Sequence, residues 1–347
     1  MNGLDFLRSK LSGRLRRLPV LALLLTTRCN SRCRTCGYWQ RSDGEELRAA
    51  DIASLLPDLR KLRVGHVLLS GGEALLANDV VPIGRMLHAK GIAVSLYSNG
   101  LTLAERAGDL LPWCGSLVLS VDTLDREQYR RIRGVDGLAA LLEGIAAVKS
   151  RCPGLPLTAT VTLQQGNHDC VEALAKGCLD LGFDHLNLAR MDYFTGDFSD
   201  TARKEEYMIG REGLEDLRRE LSRIAGPCDL PLGFVLNPRS ELLRYHDYYA
   251  HYHGLAELPA SICLAPWCFA VIDHRGDVLA CWYRKRPLGN LRRTGLVDLL
   301  NAPTLCRERK ARELVFTYPC ACPLGPRAGS LLWGLVALEA RRAGRGG

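Results

Sequence analysis

The sequence predicts an α/β protein, namely a partial, TIM-like (β/α)6 barrel with a small C-terminal module. Two observations lead to this class. Six short, apolar, β-rich runs alternate with segments of helical periodicity, which is typical of parallel βα units. The 347 residues, 47% of them hydrophobic, can bury one large core and leave room for a small additional module.

The elements of the barrel follow one another along the chain. We expect strands at 20–25, 64–69, 93–97, 117–121, 157–163 and 185–190. We expect helices at 50–62, 80–90, 102–111, 137–149 and 170–181. Right-handed crossovers between parallel strands would wind these units into one barrel.

The same pattern suggests how the chain is divided. The expected parts are a basic extension at 1–18, the barrel core at 19–225, a linker and possible substrate-pocket segment at 226–257, a cysteine-containing module at 258–325, and a C-terminal helix with a basic tail at 326–347.

The amino-terminal segment imitates a secretion signal, because several basic residues precede the apolar run 18–25. That run is short for a signal core and continues into Thr26 without a small-residue cleavage site, so we interpret it as the first buried strand.

Cysteines clustered at ligand spacing indicate metal binding in a reducing cytoplasm. The net charge of +8 lies mostly on arginines near the two ends, which is typical of a solvated surface, and we expect no nucleic-acid partner.

Three cysteines lie on one short segment directly after the first predicted strand, in the run Cys29-x3-Cys33-x2-Cys36. Three thiolates can hold three irons of a cubane cluster, and the fourth iron is then left for a ligand that the protein does not supply. The spacing alone also allows a zinc knuckle or three unrelated buried thiols.

Polar motifs end the next three predicted strands. They read Ser70-Gly71-Gly72-Glu73, Ser98-Asn99-Gly100 and Ser120-Val121-Asp122. Each is weak evidence by itself, because Gly-Gly and Asn-Gly are ordinary turn signals. In barrels of this kind, however, chemistry collects at the carboxyl ends of the strands, so the four successive signals predict an active site there.

The cysteine run and these strand ends resemble the radical S-adenosylmethionine (SAM) superfamily between Pro19 and Arg190. The resemblance implies that Cys29, Cys33 and Cys36 hold a [4Fe–4S] cluster whose open iron binds SAM. It assigns Gly71, Gly72 and Glu73 to the SAM amino group, and the guanidinium of Arg133 to the SAM carboxylate. The other implied SAM contacts are Ser98, Asn99, Ser120, Asp122 and, near the adenine, Tyr38 or its neighbour Trp39.

Two positions depart from the family pattern. Thr35 stands before the third cysteine, where an aromatic residue is common, and Ala74 follows the Gly-Gly-Glu motif, where proline is usual. Neither change removes a ligand. They leave the adenine contact open.

A second set of cysteines resembles the auxiliary-cluster modules called SPASM and twitch. Its opening signature is Cys263, Gly276 and Cys281, and the remaining candidate ligands are Cys268, Cys320 and Cys322. Five thiols for four positions imply one auxiliary [4Fe–4S] cluster, with either Cys268 or Cys320 as the fourth ligand. A structural zinc site is the alternative that the same thiols would build.

The resemblance implies reductive cleavage of SAM to a 5′-deoxyadenosyl radical, which abstracts a hydrogen atom from the substrate. An auxiliary cluster nearby can take the remaining electron, so we expect an oxidoreductase of the dehydrogenase type, with a flavodoxin or ferredoxin as electron donor. About 18 residues precede the first strand, too few for a fused leader-peptide reader, which favours a small-molecule substrate such as a sugar or cyclitol. A peptide delivered by a separate recognition protein, or a lipid precursor, is the alternative substrate, and a non-catalytic zinc or iron–sulfur protein is the least favoured interpretation.

Candidate catalytic residues lie after the sixth strand and in the tyrosine- and histidine-rich run 244–253. They are Asp192, Tyr193, His246, Tyr248 and His251, and a histidine here would have a suitable pKa for a base. An aromatic helix face with solvated histidines is the competing interpretation. The apolar segment 330–342 is expected to pack across the barrel mouth, with contact to a membrane surface as the less favoured alternative.

Overall fold

The computed structural model describes residues 3–41, 43–110, 113–193, 201–258, 261–262, 265–284, 286–311 and 315–316. Six parallel strands form the barrel sheet: β1 Val20–Leu24, β2 His66–Ser70, β3 Ala93–Ser98, β4 Ser116–Ser120, β5 Leu157–Thr162 and β6 His185–Ala189. The helices up to the end of the barrel are α1 Gly3–Ser12, α2 Ala49–Lys61, α3 Val80–His88, α4 Leu103–Leu110, α5 Arg126–Arg133, α6 Leu138–Arg151, α7 Val171–Asp180, α8 Leu214–Ala225 and α9 Arg239–Tyr252.

The C-terminal part is built from short elements. They are β7 Ser261–Ile262, α10 Ala265–Cys268, β8 Phe269–Ile272, β9 Asp277–Leu279, β10 Gly289–Asn290, α11 Leu296–Leu300, α12 Pro303–Ala311 and β11 Val315–Phe316.

The barrel strands pair in sequence order, each parallel to the next, from β1 to β6. β6 ends the linear order of strands among the described residues, with an isolated parallel bridge from Leu186 to Val235 beyond it, so the barrel is open, as the sequence predicts. All six strands and all five helices expected from the sequence are present, with ends that differ by a few residues.

Both faces of β1 are buried, and its side chains alternate between two cores. Leu21 and Leu23 belong to the large apolar core, whereas Val20, Ala22 and Leu24 belong to a second, smaller cluster. This alternation follows from the two-residue period of a strand. It explains why a strand covered on both faces reads as a continuous apolar run.

The C-terminal module extends the barrel sheet. β8 pairs in parallel with β1, with Val20 opposite Phe269 and Leu23 opposite Ile272, and β9 and β10 continue the sheet beyond it. The turn sequence 273–276 between the apolar pairs 271–272 and 278–279 is typical of a hairpin, but no local pattern gives the place of β8 and β9 in the sheet. The turn of this hairpin contains Gly276, whose φ of 84° favours glycine.

The segment 226–257, expected to be a linker, packs closely against the barrel. It contains α9, and three of the tyrosines on this helix are buried. The Tyr245 hydroxyl donates to the Leu188 carbonyl at 3.0 Å, and the Tyr249 hydroxyl donates to the Leu163 carbonyl at 2.5 Å. These bonds satisfy backbone groups just beyond β5 and in β6, so α9 supports the wall of the barrel mouth.

A buried arginine joins the amino-terminal segment to the C-terminal module. Arg309 is 1% exposed, and its guanidinium donates to the carbonyls of Pro266 at 2.7 Å, Leu300 at 2.6 Å and Gly13 at 3.2 Å.

Within the described part of the chain, no helix combines the length and the apolarity that crossing a bilayer requires. The predicted helix at 330–342 lies outside the described residues.

Candidate active site

A cavity of about 420 Å³ opens at the carboxyl ends of the barrel strands. Its lining combines the cysteine loop after β1, the polar ends of β2 to β6, and two aromatic residues of the C-terminal module. The size falls in the range of pockets that hold cofactors and small ligands.

Cys29, Cys33 and Cys36 all line this cavity. The loop that carries them is bound to the end of α5, because the Arg32 amide donates to the Arg133 carbonyl at 2.9 Å. Burial raises the pKa of the Cys29 and Cys36 thiols to about 11 each, so binding iron has to displace their protons. In the described ranges no three His, Cys, Asp or Glu side chains are grouped to hold a single metal ion.

Gly71 and Gly72 line the cavity and also touch the base of the cysteine loop. A Cβ on Gly71 would lie 2.5 Å from the Thr26 carbonyl oxygen, and one on Gly72 would lie 2.3 Å from the Arg28 carbonyl oxygen. Gly71 also has a φ of 136°. The absence of side chains is thus required first for the close approach of β2 to this loop.

Glu73 is placed differently from its predicted contact with SAM. It is 1% exposed and is absent from the cavity wall. Its carboxylate accepts from the Leu75 amide at 3.0 Å, the Ser98 hydroxyl at 2.9 Å and the Asn99 amide at 2.7 Å. Burial raises the pKa of this carboxyl. Glu73 therefore holds the turn after β3, and we infer that it acts on SAM through that turn.

Ser98 and Asn99 line the cavity, as expected from their position at a strand end. The Asn99 side-chain amide donates to the Asn30 side-chain oxygen Oδ1 at 2.7 Å and to the Ser31 hydroxyl at 3.1 Å. Asn99 thus connects the end of β3 to the cysteine loop.

Ser120, Asp122 and Arg133 also line the cavity. Arg133 pairs with Asp122 at 2.9 Å, and another of its nitrogens lies 3.7 Å from the Cys33 sulfur. Burial opposes the charge of Arg133, but the Asp122 carboxylate and the Cys33 thiol outweigh it and raise the pKa of Arg133. Its buried Nε has no hydrogen-bond partner among the described residues, which suits an anionic group of a bound cofactor.

The two aromatic candidates for the adenine separate clearly. Trp39 lines the cavity, and its indole nitrogen donates to the Cys33 carbonyl at 3.2 Å. Tyr38 is 2% exposed, lies outside the cavity lining and bonds His274. The assignment of Tyr38 is therefore corrected, because its ring is turned into the apolar cluster beside β1.

Among the predicted catalytic residues, Asp192 lines the cavity, whereas Tyr193, His246, Tyr248 and His251 do not. Tyr193 packs against the rings of Tyr248 and Tyr252. The Tyr248 hydroxyl donates to the Met191 carbonyl at 2.6 Å, and the His251 ring bonds the Ala256 carbonyl at 2.9 Å. His246 lies beside Asp247. The rotation of α9 directs the side chains of His246, Tyr248 and His251 away from the cavity lining, and Tyr193, which follows β6, packs against the tyrosines of that helix.

Sequence reasoning missed other residues of the wall, namely Arg190, Tyr245, Trp282 and Tyr283. Arg190 and Asp192 are two residues apart just after β6, so in extended backbone their side chains share a side. This alternation is a signal that the sequence did offer.

The auxiliary ligand candidates are only partly within the described residues. Cys268 is 5% exposed and Cys281 is half-buried, and both pack in the small apolar cluster that also contains Cys36 and Tyr38. Cys263, Cys320 and Cys322 lie outside the described residues.

Comparison with known proteins identifies the family. Residues 23–176 match the model of the radical SAM superfamily. A GTP 3′,8-cyclase from Synechococcus elongatus is 33% identical over 232 residues, which are 61% of this chain and 68% of that protein. The chain belongs to the radical SAM superfamily. Residues 263–323 match the SPASM model, an iron–sulfur cluster-binding domain, so the module is of the iron–sulfur and not of the zinc type.

This radical SAM enzyme has further relatives that differ in activity. The pre-heme d1 synthase of Dinoroseobacter shibae is 25% identical over 310 residues, covering 82% of this chain and 74% of that protein. The chain spans about half the length of several archaeal probable GTP 3′,8-cyclases that it matches. Streptococcus suis SuiB, solved bound to S-adenosylmethionine, has the same fold, with a TM-score of 0.66 at 16% identity over 89% of this chain and 71% of SuiB. The predicted cofactors, SAM, a [4Fe–4S] cluster and an auxiliary iron–sulfur centre, agree with these matches.

Proposed function

We propose that this radical SAM enzyme is an oxidoreductase that acts on a small polar molecule carrying an anionic group. One observation carries the proposal. The cavity that begins at the three thiols ends at a wall containing Arg190, Asp192 and Asn187, so the cofactor side and the polar side share one space of about 420 Å³.

When bound, the reduced cluster and SAM supply radical chemistry that can remove a hydrogen atom from an unactivated carbon. The residues of this chain bind and orient the reactants. Arg133, paired with Asp122, offers its Nε to the carboxylate of SAM, and Trp39 provides an aromatic face beside the cysteine loop. The apolar side chains around the cavity exclude water from the reacting atoms.

Arg190 is the proposed anchor of the substrate. Its guanidinium lies over the rings of Tyr245 and Tyr248, at 5.0 and 4.9 Å from their centroids. Stacking occupies the faces of the guanidinium and directs its donors along the edges, where a carboxylate or phosphate binds in a bidentate manner. Asp192 and the half-buried hydroxyls of Thr160 and Thr162 line the same cavity and suit hydroxyl or amino groups of the substrate.

The oxidoreductase part of the proposal is supported by the position of the auxiliary module. Trp282 and Tyr283 directly follow Cys281 and line the cavity. A substrate held there would lie close to the auxiliary centre, which favours loss of an electron to it. We further propose one auxiliary [4Fe–4S] cluster, a flavodoxin- or ferredoxin-type donor and a cytoplasmic location, where thiols stay reduced.

The relatives differ in substrate size, and the cavity favours a small one. GTP 3′,8-cyclase is named for GTP, a small anionic molecule. Pre-heme d1 synthase is named for pre-heme d1, and SuiB has been solved bound to the precursor peptide SuiA. A cavity of about 420 Å³ has to admit SAM as well as the reacting part of the substrate. A peptide or a pre-heme is therefore the alternative substrate to be tested against the small anion.

The first experiment measures 5′-deoxyadenosine formed from SAM by the reconstituted protein under anaerobic reduction. Replacing Cys29, Cys33 and Cys36 with alanine should abolish it and remove about half of roughly eight irons per chain, if each cubane holds four. Undiminished cleavage in that variant would reject the enzyme assignment.

The second experiment compares fractions of a source-cell extract separated by ultrafiltration. The small-molecule filtrate should stimulate SAM cleavage, and Arg190→Gln should need about 10- to 100-fold more filtrate, because a charged hydrogen bond contributes about 1.5–3 kcal/mol. Unstimulated cleavage should not change. Arg218→Gln, an exposed arginine on α8, is the matched control. Stimulation by the retained macromolecular fraction alone would instead favour a peptide substrate.

A further inference from the structure

A chain of three polar side chains, two of them buried and the third at the surface, joins the segment after Cys36 to the C-terminal module. The Tyr38 hydroxyl lies 3.1 Å from His274 Nδ1, and His274 Nε2 lies 2.9 Å from Asp43 Oδ2. Tyr38 is 2% and His274 3% exposed. We propose that Tyr38, His274 and Asp43, here called the Tyr38 latch, let the C-terminal module set the position of the third cysteine of the SAM cluster and thereby tune that cluster.

The proton arrangement of the latch is self-consistent. Side-chain bonds from His274 and Arg275 outweigh burial and lower the pKa of Asp43 to about 2, so this carboxylate accepts a proton donated by Nε2. That tautomer leaves Nδ1 as an acceptor, and the Tyr38 hydroxyl donates to it. The two rings meet edge to face, with centroids 6.0 Å apart. Each polar group therefore has a partner, which fixes one geometry.

The position of the latch links the two cluster regions. Tyr38 follows Cys36 by two residues, and its amide donates to the Cys36 sulfur at 3.4 Å. His274 lies in the turn between β8 and β9, which Cys268 precedes and Cys281 follows. Cys36, Cys268 and Cys281 also pack in one apolar cluster with Tyr38. A shift of the hairpin is thus transmitted through His274 and Tyr38 to the Tyr38 amide, which donates to the Cys36 sulfur.

Hydrogen bonds to the cysteine sulfurs influence the reduction potential of an iron–sulfur cluster. A phenylalanine at position 38 and an apolar residue at 274 would fill the same space without three polar groups to satisfy. The buried polar chain instead fixes a distance and a direction. Because it acts through Cys36, Tyr38 is a positioning residue for the family's chemistry. This inference rests on the family of the chain and not on the proposed substrate.

The test uses the reconstituted holoenzyme with SAM and no substrate. Tyr38→Phe and His274→Leu should keep the iron content and the auxiliary-cluster signal but weaken the donor on Cys36. Donors stabilise the reduced cluster, so we expect a lower midpoint potential and an altered electron paramagnetic resonance spectrum of the SAM cluster. A tenfold change in the reduction equilibrium corresponds to about 59 mV for one electron. The double variant should shift no further than either single variant.

Two variants separate this role from stability alone. Tyr249→Phe deletes another buried phenol hydroxyl, bonded to the Leu163 carbonyl, and should lower stability without changing the potential. His274→Asn retains an acceptor for Tyr38 but loses the bond to Asp43, so its midpoint potential should lie between those of the parent and of His274→Leu. If folded Tyr38→Phe and His274→Leu both keep the parent potential and spectrum, or if their shifts simply add, the latch does not tune the cluster. If either variant loses its iron, His274→Asn decides the question. A midpoint potential below that of the parent supports the proposal, and a potential equal to that of the parent contradicts it, because the bond to Asp43 is lost.

Discussion

Gly134→Ala tests the contact between the end of α5 and the cysteine loop. Gly134 has a φ of 69°, and a Cβ there would lie 2.2 Å from the Arg32 carbonyl oxygen. Arg32 cannot move aside easily, because its amide is bonded to the Arg133 carbonyl at 2.9 Å. The new methyl group therefore pushes against the backbone between Cys29 and Cys33.

The expected cost has two parts. Placing alanine in the left-handed region costs about 1–2 kcal/mol, and overpacking against a fixed backbone costs about 1–3 kcal/mol more. Gly91→Ala is a matched control, because Gly91 has a φ of 71° and a methyl group there would meet nothing within 4 Å beyond its own chain neighbours. The free energy of unfolding of Gly91→Ala should decrease only by the cost of placing alanine in the left-handed region. The entropy that alanine removes from the unfolded chain is common to both variants and cancels.

Urea unfolding measures the difference between the two variants, which we expect to be about 1–3 kcal/mol. Iron content and SAM cleavage then show whether the cysteine loop has moved, and we expect a loss of both in Gly134→Ala alone. Equal unfolding free energies with full SAM cleavage in both variants would refute the contact argument.

Three further predictions concern other buried polar groups. Glu73→Gln should weaken SAM binding by about tenfold or more with unchanged iron content, since one acceptor for the turn after β3 is lost; equal dissociation constants would contradict this. Burial lowers the pKa of His66 to about 4, below its ordinary value, so its contribution to stability is present above about pH 6.5 and is lost as the pH falls towards 4. In urea titrations, the free energy of unfolding of the parent should therefore decrease by about 3 kcal/mol over that pH range, and that of His66→Asn should not. Burial lowers the pKa of Arg309 only to about 10, so this side chain stays charged. Arg309→Met should lower the free energy of unfolding by at least about 1–3 kcal/mol, because the three backbone carbonyls that Arg309 binds lose their donor. The signal of the SAM cluster should not change.

Local patterns were sufficient for the barrel. Each strand is an apolar run whose alternation depends only on neighbouring residues, and each polar motif follows its strand directly in the chain. For that reason the position of Cys29, Gly71, Asn99 and Asp122 at one end of the sheet could be predicted. The cavity lining agrees with that prediction for all four residues.

The failures involve groups whose surroundings come from distant segments. Glu73 belongs to the predicted motif, yet its partners on the turn after β3 are more than twenty residues away, and they use its carboxylate. Tyr38 and Trp39 are adjacent in the chain, and the hydrogen bond between Tyr38 and the distant His274 determines that the Tyr38 ring is turned away from the cavity. The tyrosines of α9 face the barrel wall because their hydroxyls find carbonyls there.

The sequence by itself determined the order of the strands, the cysteine loop and the edge of the sheet where chemistry occurs, since these depend on short-range periodicity and spacing. Only the tertiary structure decided that β8 pairs with β1, that Arg190 and Trp282 join the cavity wall, and that Glu73 supports a turn. An open strand edge accepts any apolar strand of matching length, and the rotation of a helix is set by its packing partners. Neither is encoded in a local pattern, so contacts between distant residues determine which side chains reach the cavity.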